Sequence, residues 1–237
     1  MLSPWKTASQ TTLARLARWD DSPYPRFYYF NEHVGHITHQ HMTYGEYSQL
    51  PESRLGYFEA AFTRNPYDKC WSGFLELQRD LARQPSRTYP EPWIRELVMR
   101  QLAENRAQLE AANYGFDEWL ALLREEQVLE AGKNTSLPLH PAHYWTHHRG
   151  ELAVNFVGRV ENFEHDFEDL VRKLNIEPGS KESVNVTSNE NLPTVPHPNG
   201  YRYVERMSAR SIHKINQLFA ADFELLGYER LTVGSVA

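Results

Sequence analysis

Two short stretches carry residue types suited to handling phosphate. The first is Ser3-Pro-Trp-Lys-Thr-Ala-Ser-Gln-Thr-Thr12, which sets hydroxyl residues and one lysine directly before a helical pattern. Backbone N–H groups at the start of a helix, together with hydroxyls and a lysine, make a cradle for an anion. The stretch has no glycine and is not a GxxxxGK[ST] loop. The plainer alternative is a Ser/Thr cap beside a solvated lysine. The second stretch is Phe62-Thr-Arg-Asn-Pro-Tyr-Asp-Lys-Cys-Trp-Ser72. A strand pattern ends at Arg64, a proline follows, and a helix begins, with Ser72 about two turns along it. Open α/β sheets place ligand groups at the carboxyl ends of strands, and a guanidinium forks onto phosphate. A surface arginine beside a helix capped by Asn65 or Asp68 has the same local pattern.

Histidines supply a second kind of chemistry. His33, His36, His39 and His41 lie in one stretch, and His140, His143, His147 and His148 in another. An imidazole, with an ordinary pKa of about 6.5, suits proton abstraction near neutrality. Clusters of this kind can also hold zinc or another transition metal, but neither has an HExxH pattern, and no metal is expected. His39 and His41 flank Gln40, so an extended backbone would aim both at one face. Tyr144 and Trp145 could stack on a sugar. Trp93, Phe116, Trp119 and Leu120 read as core, and Cys70 as a packed thiol. Glu161 could orient substrate or Lys6, or could cap the helix that follows.

These residues need elements to position them. The patterns predict a helix over 11–19 with Leu13, Leu16 and Ala17 on one face, a strand over 27–30 and a buried strand over 56–63. Helices are predicted over 67–82, 93–112 and 116–129, a strand over 153–160 and a helix over 163–174. The last helix, 208–226, stops at Gly227. Strands alternating with helices argue for an α/β sandwich with a mostly parallel sheet. Residues 84–139 form a helical insert and 177–201 a long polar loop, both decorating one domain that spans 1–237. Any strand leading into the Lys6 segment must be very short.

Composition bounds the function. The chain has 237 residues, 41% of them hydrophobic and 24% charged, with 25 Lys plus Arg against 31 Asp plus Glu. That is a globular composition. The net charge of −6 argues against general attraction to nucleic acid or anionic membrane. No apolar run reaches the roughly 20 residues of a membrane span. The single cysteine excludes an internal disulfide and fits a reducing, cytoplasmic setting.

Taken together, PWKTASQTTL and FTRNPYDKCWSGF resemble the 5′-phosphosulfate loop and the 3′-phosphate strand–turn–helix of sulfotransferases. The resemblance is to sulfotransferase family 2, the carbohydrate sulfotransferases that include heparan sulfate 2-O-sulfotransferase. His39-Gln-His-Met-Thr-Tyr-Gly-Glu-Tyr47 is similar to that family's histidine motif, VNFVGRVENFEHDFEDLVRKLNI to its strand–Glu–helix segment, and INQLFAADFELLGYE to its C-terminal helix. Residues 84–139 match little and should shape the choice of acceptor. The resemblance implies a P-loop-like three-layer α/β sandwich around a central, mostly parallel sheet, and transfer of a sulfuryl group from 3′-phosphoadenosine 5′-phosphosulfate (PAPS) to a hydroxyl, of a carbohydrate by family habit. It implies that Lys6 contacts the bridging and sulfuryl oxygens. Thr7, Ala8, Ser9, Gln10 and Thr11 would bind the 5′-phosphate, and Arg64 and Ser72 the 3′-phosphate. His41 aligns with the catalytic base and His39 with its neighbour; residues 185–189 sit where relatives close a loop over the nucleotide. Trp5 departs from the family, which usually carries proline before the lysine. Two other readings are a nucleotide-binding protein of the same fold without the reaction, and a metal-dependent hydrolase built on the histidines.

Overall fold

The computed structural model of the chain describes residues 1–25, 28–83, 88–130, 139–177 and 200–232. In chain order the elements are α1 (Ser9–Arg15), β1 (Tyr29–Asn31), β2 (His36–Thr38), α2 (Tyr44–Tyr47), β3 (Ala60–Thr63), α3 (Pro66–Arg83), α4 (Pro92–Ala111), α5 (Phe116–Leu122), α6 (Glu125–Leu129), α7 (His143–Thr146), β4 (His147–His148), β5 (Glu151–Leu152), β6 (Phe156–Arg159), α8 (Phe163–Leu174), α9 (Ala209–Leu218) and α10 (Ala220–Leu226). This is a mixed α/β fold with a small parallel sheet. The contacts divide it into two compact units, one of Met1–Arg64 and Ala142–Ser188, the other of Asn65–Pro141 and Asn189–Ala237.

The parallel sheet lies in the first unit. β3 pairs with β6 in register Ala60↔Phe156 to Thr63↔Arg159. On its other side, Leu2 bridges Ala61 in parallel, with the Leu2 N–H donating to the Ala60 carbonyl at 2.8 Å. The short first strand is therefore one bridged residue. All of β3 is buried, and alternate residues point to opposite faces. Ala60 and Phe62 pack with Phe167, Leu170 and Val171 of α8. Ala61 packs with Leu2, Trp145 and Val154. Covering both faces explains the uninterrupted apolar run of β3. The strand is shorter than 56–63, because residues 56–58 are exposed. Two antiparallel ribbons, β1–β2 and β4–β5, complete the strands of this unit among the described residues.

Gly158 of β6 faces Phe62 so closely that a Cβ there would lie 2.4 Å from the ring. Phe62 is fully buried and has little room to yield. Gly158→Ala should therefore destabilise the protein by about 1–3 kcal/mol, lowering the melting temperature by several degrees. A calorimetric midpoint matching the parent would contradict this packing.

Helix α1 differs from its predicted form. It ends at Arg15, a 3₁₀ turn follows at Ala17–Trp19, and its buried residues are Ser9, Thr11, Thr12 and Arg15 rather than a leucine face. The reason is tertiary. Arg15 forks onto Glu164 of α8, with both bonds at 2.7 Å, and its guanidinium lies 5.2 Å from the rings of both Phe163 and Phe167. A paired, stacked arginine can occupy a position that periodicity assigns to a leucine.

The second unit is helical among the described residues. Trp71, Phe74, Phe116 and Trp119 form a chain of ring contacts joining α3 to α5. Trp119 and Leu120 are core as expected, whereas Trp93 is 39% exposed and is not. The predicted helix over 116–129 breaks into α5 and α6, and the predicted last helix is broken at Phe219. The Phe219 ring is fully buried with the Lys69 ammonium 5.6 Å from its centroid. Gly227 ends α10 in the left-handed conformation, φ 65°, as a helix C-terminus favours. Asp68, in the first turn of α3, accepts the N–H groups of Arg202 and Tyr203 at 3.0 Å. Cys70 is buried, which pushes its thiol well above the ordinary range.

Candidate active site

Leu2, β3 and β6 run in one direction, so the segments that follow them leave from one edge of the sheet. Those segments are Ser3 to Ala8, Arg64, and the turn at Val160–Asn162. Ligands of open α/β sheets gather at such carboxyl edges. The first segment has an unusual backbone. Lys6 (φ 62°) and Ala8 (φ 57°) flank Thr7 in the left-handed region without being glycine. Such residues cost on the order of 1 kcal/mol each and collect at functional sites. Left-handed residues interspersed in a turn aim successive N–H groups into an anion-binding concavity. The turn is held by side chains. Thr7 Oγ1 donates to the Pro4 carbonyl at 2.9 Å, and Thr12 Oγ1 to the Ala8 carbonyl at 3.1 Å. Helix α1 is entered through Ala8 with no capping side chain, so the plain Ser/Thr cap is not what the structure shows. Thr7, Ser9 and Thr11 are buried, while Lys6, Ala8 and Gln10 are half-buried.

The histidine motif follows the β1–β2 ribbon, and His39 to Met42 form a turn, with the Met42 N–H donating to the His39 carbonyl at 3.1 Å. The expected extended segment is thus replaced by a turn, yet His39 and His41 still converge, with ring centroids 5.5 Å apart. His41 is held on every side. Its Nδ1 lies 2.6 Å from the Ser3 carbonyl, which can only accept, so Nδ1 carries the proton and Nε2 keeps the lone pair. The Gln40 amide donates to that lone pair at 3.2 Å. The His41 N–H donates to His39 Nδ1 at 3.0 Å, and Trp145 Nε1 donates to the His41 carbonyl at 3.2 Å. The Trp5 indole stacks on the imidazole at 3.7 Å between centroids and 21° between planes. The tail of the motif fixes the backbone just beyond. Glu46 accepts the Thr43 N–H at 2.7 Å and O–H at 2.8 Å, closing a capping box on α2.

His36 sits differently. Its Nδ1 lies 3.0 Å from the Val34 carbonyl and its Nε2 2.8 Å from Glu46 Oε1. Both nitrogens face acceptors, so the ring is engaged at each end and serves to brace β2 against the α2 cap.

The structure thus brings the Lys6 segment and His41 together through Ser3 and Trp5, and places Arg64 at the carboxyl edge. Asn65 caps α3 by accepting the Asp68 N–H at 2.9 Å. Ser72 lies in the second unit, 1% exposed in α3. Glu161 lies in the 3₁₀ turn after β6, and the N-cap of α8 is Asn162. Residues 185–189 fall outside the described residues. Trp145 is 1% exposed and is a buried brace for His41, not a sugar platform; Tyr144 remains half-buried. Among the described residues, no group of three or more His, Cys, Asp or Glu is disposed to hold a metal ion, and no helix is long and apolar enough to cross a membrane.

Sequence reasoning missed Ser3, Gln40, Trp5 and Trp145 as partners of His41. Trp5 was visible as a departure before the lysine. Trp145 contacts His41 across 104 residues, a separation that leaves no local signal.

No curated protein and no solved structure matches the chain. A family profile does match, that of the Sulfotransferase family, family 2, over residues 5–229. The match is to the family as a whole and does not single out the heparan sulfate 2-O-sulfotransferases. It begins at the Trp5 that stacks on His41 and runs past the end of α10, so nearly the whole chain is accounted for, and this protein belongs to the Sulfotransferase family.

Proposed function

We propose that the chain transfers a sulfuryl group from PAPS to a hydroxyl, that of a carbohydrate, with His41 as general base and Lys6 stabilising the leaving phosphate. The observation that carries this reading is the joining of His41 to the Lys6 segment, by the Ser3 carbonyl at 2.6 Å and by the Trp5 stack at 3.7 Å. The reading takes residues 1–237 as one catalytic domain of three-layer α/β architecture in a reducing, cytoplasmic setting, and needs no metal.

The residues present fit the donor. The left-handed backbone at Lys6 and Ala8 suits N–H donation to a 5′-phosphosulfate, aided by Thr7, Ser9, Gln10 and Thr11. Arg64 and Ser72 are assigned to the 3′-phosphate by their motif positions. When bound, the donor supplies the sulfuryl group and a phosphate leaving group. His41 Nε2, the nitrogen now capped by Gln40, takes the acceptor proton as the new sulfur–oxygen bond forms. The Gln40 amide N–H thus marks where the acceptor O–H arrives. As the Ser3 carbonyl holds the Nδ1 proton, it steadies the imidazolium that results. Lys6 offsets the negative charge that grows on the bridging oxygen as its bond to sulfur breaks. His39 orients the base through its bond to the His41 N–H. Positioning and charge stabilisation dominate such in-line transfers.

The donor assignment is tested by thermal shift. A nucleotide at about 100 times its dissociation constant stabilises the fold by about 2.7 kcal/mol. Adenosine 3′,5′-bisphosphate should therefore raise the melting temperature more than AMP at equal concentration. Arg64→Ala should remove most of that difference, since charge-assisted bonds contribute about 1.5–3 kcal/mol. Equal shifts from the two nucleotides with the parent protein would refute the 3′-phosphate site.

A further inference from the structure

Trp5 stands one residue before Lys6, its indole stacks on the His41 imidazole with centroids 3.7 Å apart and planes 21° apart, and it meets His39 in an edge-to-face contact at 5.3 Å. Resting on the sulfotransferase reading above, we propose that Trp5 is a positioning residue for the base, whose indole face fixes the plane of the His41 ring and stabilises the positive charge the ring acquires on taking the acceptor proton.

Three observations support it. The contact is face to face, the geometry in which an aromatic quadrupole attracts a cation. The Ser3 carbonyl, two residues upstream, accepts the Nδ1 proton at 2.6 Å and so favours the protonated ring from its edge while Trp5 favours it from its face. His41 is 7% exposed, and shielding of this kind strengthens such an attraction. One short segment therefore carries Lys6 and sets the tautomer, plane and charge of the base. Binding a donor to that segment and arming the base become one structural event.

Burial and the aromatic face act in opposite directions. Removing the indole altogether would admit water and raise the proton affinity of the ring, masking the loss of its attraction. Trp5→Leu separates the two, because it keeps apolar cover and deletes the π face. A titratable group in contact with His41 is His39, with ring centroids 5.5 Å away, and Lys6 follows Trp5 directly in the chain. From α7 the neighbour is Trp145, which does not titrate, and the Glu46 carboxylate of α2 is taken up by Thr43 and His36. These groups are common to every variant compared, so their influence cancels.

The test is a pH titration of the histidine resonances of the full chain by NMR, with His41 assigned by its absence in His41→Gln. It requires neither donor nor acceptor. In the parent, the His41 ring protons should resonate upfield, under the ring current of Trp5. The midpoint of the His41 titration should fall in Trp5→Leu by about 0.4 to 1.5 pH units, the shift equivalent to an aromatic–cation contact. Trp5→Phe should restore part of it. Once an acceptor is in hand, the acid limb of the rate profile should move down in pH by the same amount in Trp5→Leu. An unshifted or raised midpoint in folded Trp5→Leu overturns the proposal. So does the absence of an upfield shift in the parent, a measurement that does not depend on any variant folding. Failure of the sulfotransferase reading has another signature, indifference to the 3′-phosphate in the nucleotide comparison, and leaves the titration to be judged alone.

Discussion

His41→Ala should lower turnover by about 10²–10⁴-fold, the usual effect of losing a general base, while the affinity for adenosine 3′,5′-bisphosphate stays nearly unchanged. The separation follows from where the two functions sit. Phosphate binding is assigned to residues 6–11, Arg64 and Ser72, whereas the proton is to be taken by His41 Nε2, which the Gln40 amide contacts. A lost base therefore appears in turnover rather than in ground-state binding. His36→Ala should do far less, because both His36 nitrogens are committed to Val34 and Glu46. His39→Ala should fall between, because His39 acts on the base through one bond at 3.0 Å. Near-normal turnover in His41→Ala overturns the assignment, and a crippled His36→Ala enzyme beside it would move the base to the earlier histidine.

Lys6→Ala should cost about 10²–10³-fold in turnover, comparable to removing one preorganised donor from a site of developing charge. Lys6 also occupies a left-handed backbone position, φ 62°, so a change there alters two things at once. Lys6→Gly separates them. Glycine adopts that backbone without steric penalty and loses more freedom on folding, so the two effects offset and its melting temperature should stay near that of the parent. If the loss belongs to the ammonium, Lys6→Ala and Lys6→Gly lose turnover equally. If it belongs to the loop shape, Lys6→Gly retains it. Single-turnover rates with saturating donor would decide, and a Lys6→Ala rate within threefold of the parent sinks the role of the lysine.

Much of the secondary structure was legible. Helix α8 spans the predicted 163–174, α3 and α4 fall within a residue of their predicted bounds, and Gly227 ends α10. These are long or strongly periodic segments with local start and stop signals. Where the reading slipped, distant partners decided. A leucine face was expected on α1, but Arg15 is buried instead because Glu164, Phe163 and Phe167 receive it from α8. The strand over 153–160 contracts to Phe156–Arg159 and that over 56–63 to Ala60–Thr63, because strand ends are set by where a partner is available to pair. The β1–β2 ribbon was half visible, as an aromatic run with no sign of its partner.

The sequence by itself determined the chemistry on offer: a lysine among hydroxyls before a helix, an arginine at the end of a buried strand, and two histidines spaced by one residue with an acidic, aromatic tail. Residue type and spacing are local properties, and so is family membership, since it rests on the order of such blocks. Only the tertiary structure decided how each histidine is held. The motif tail marks His41 in the sequence and His36 lacks it, but no local pattern shows that His41 Nδ1 meets the Ser3 carbonyl, thirty-eight residues away, or that its own carbonyl is anchored by Trp145, still farther along the chain. Proton location and ring orientation are set by whichever partner the fold delivers. Packing delivers partners across long stretches of chain, and a linear pattern carries no record of them.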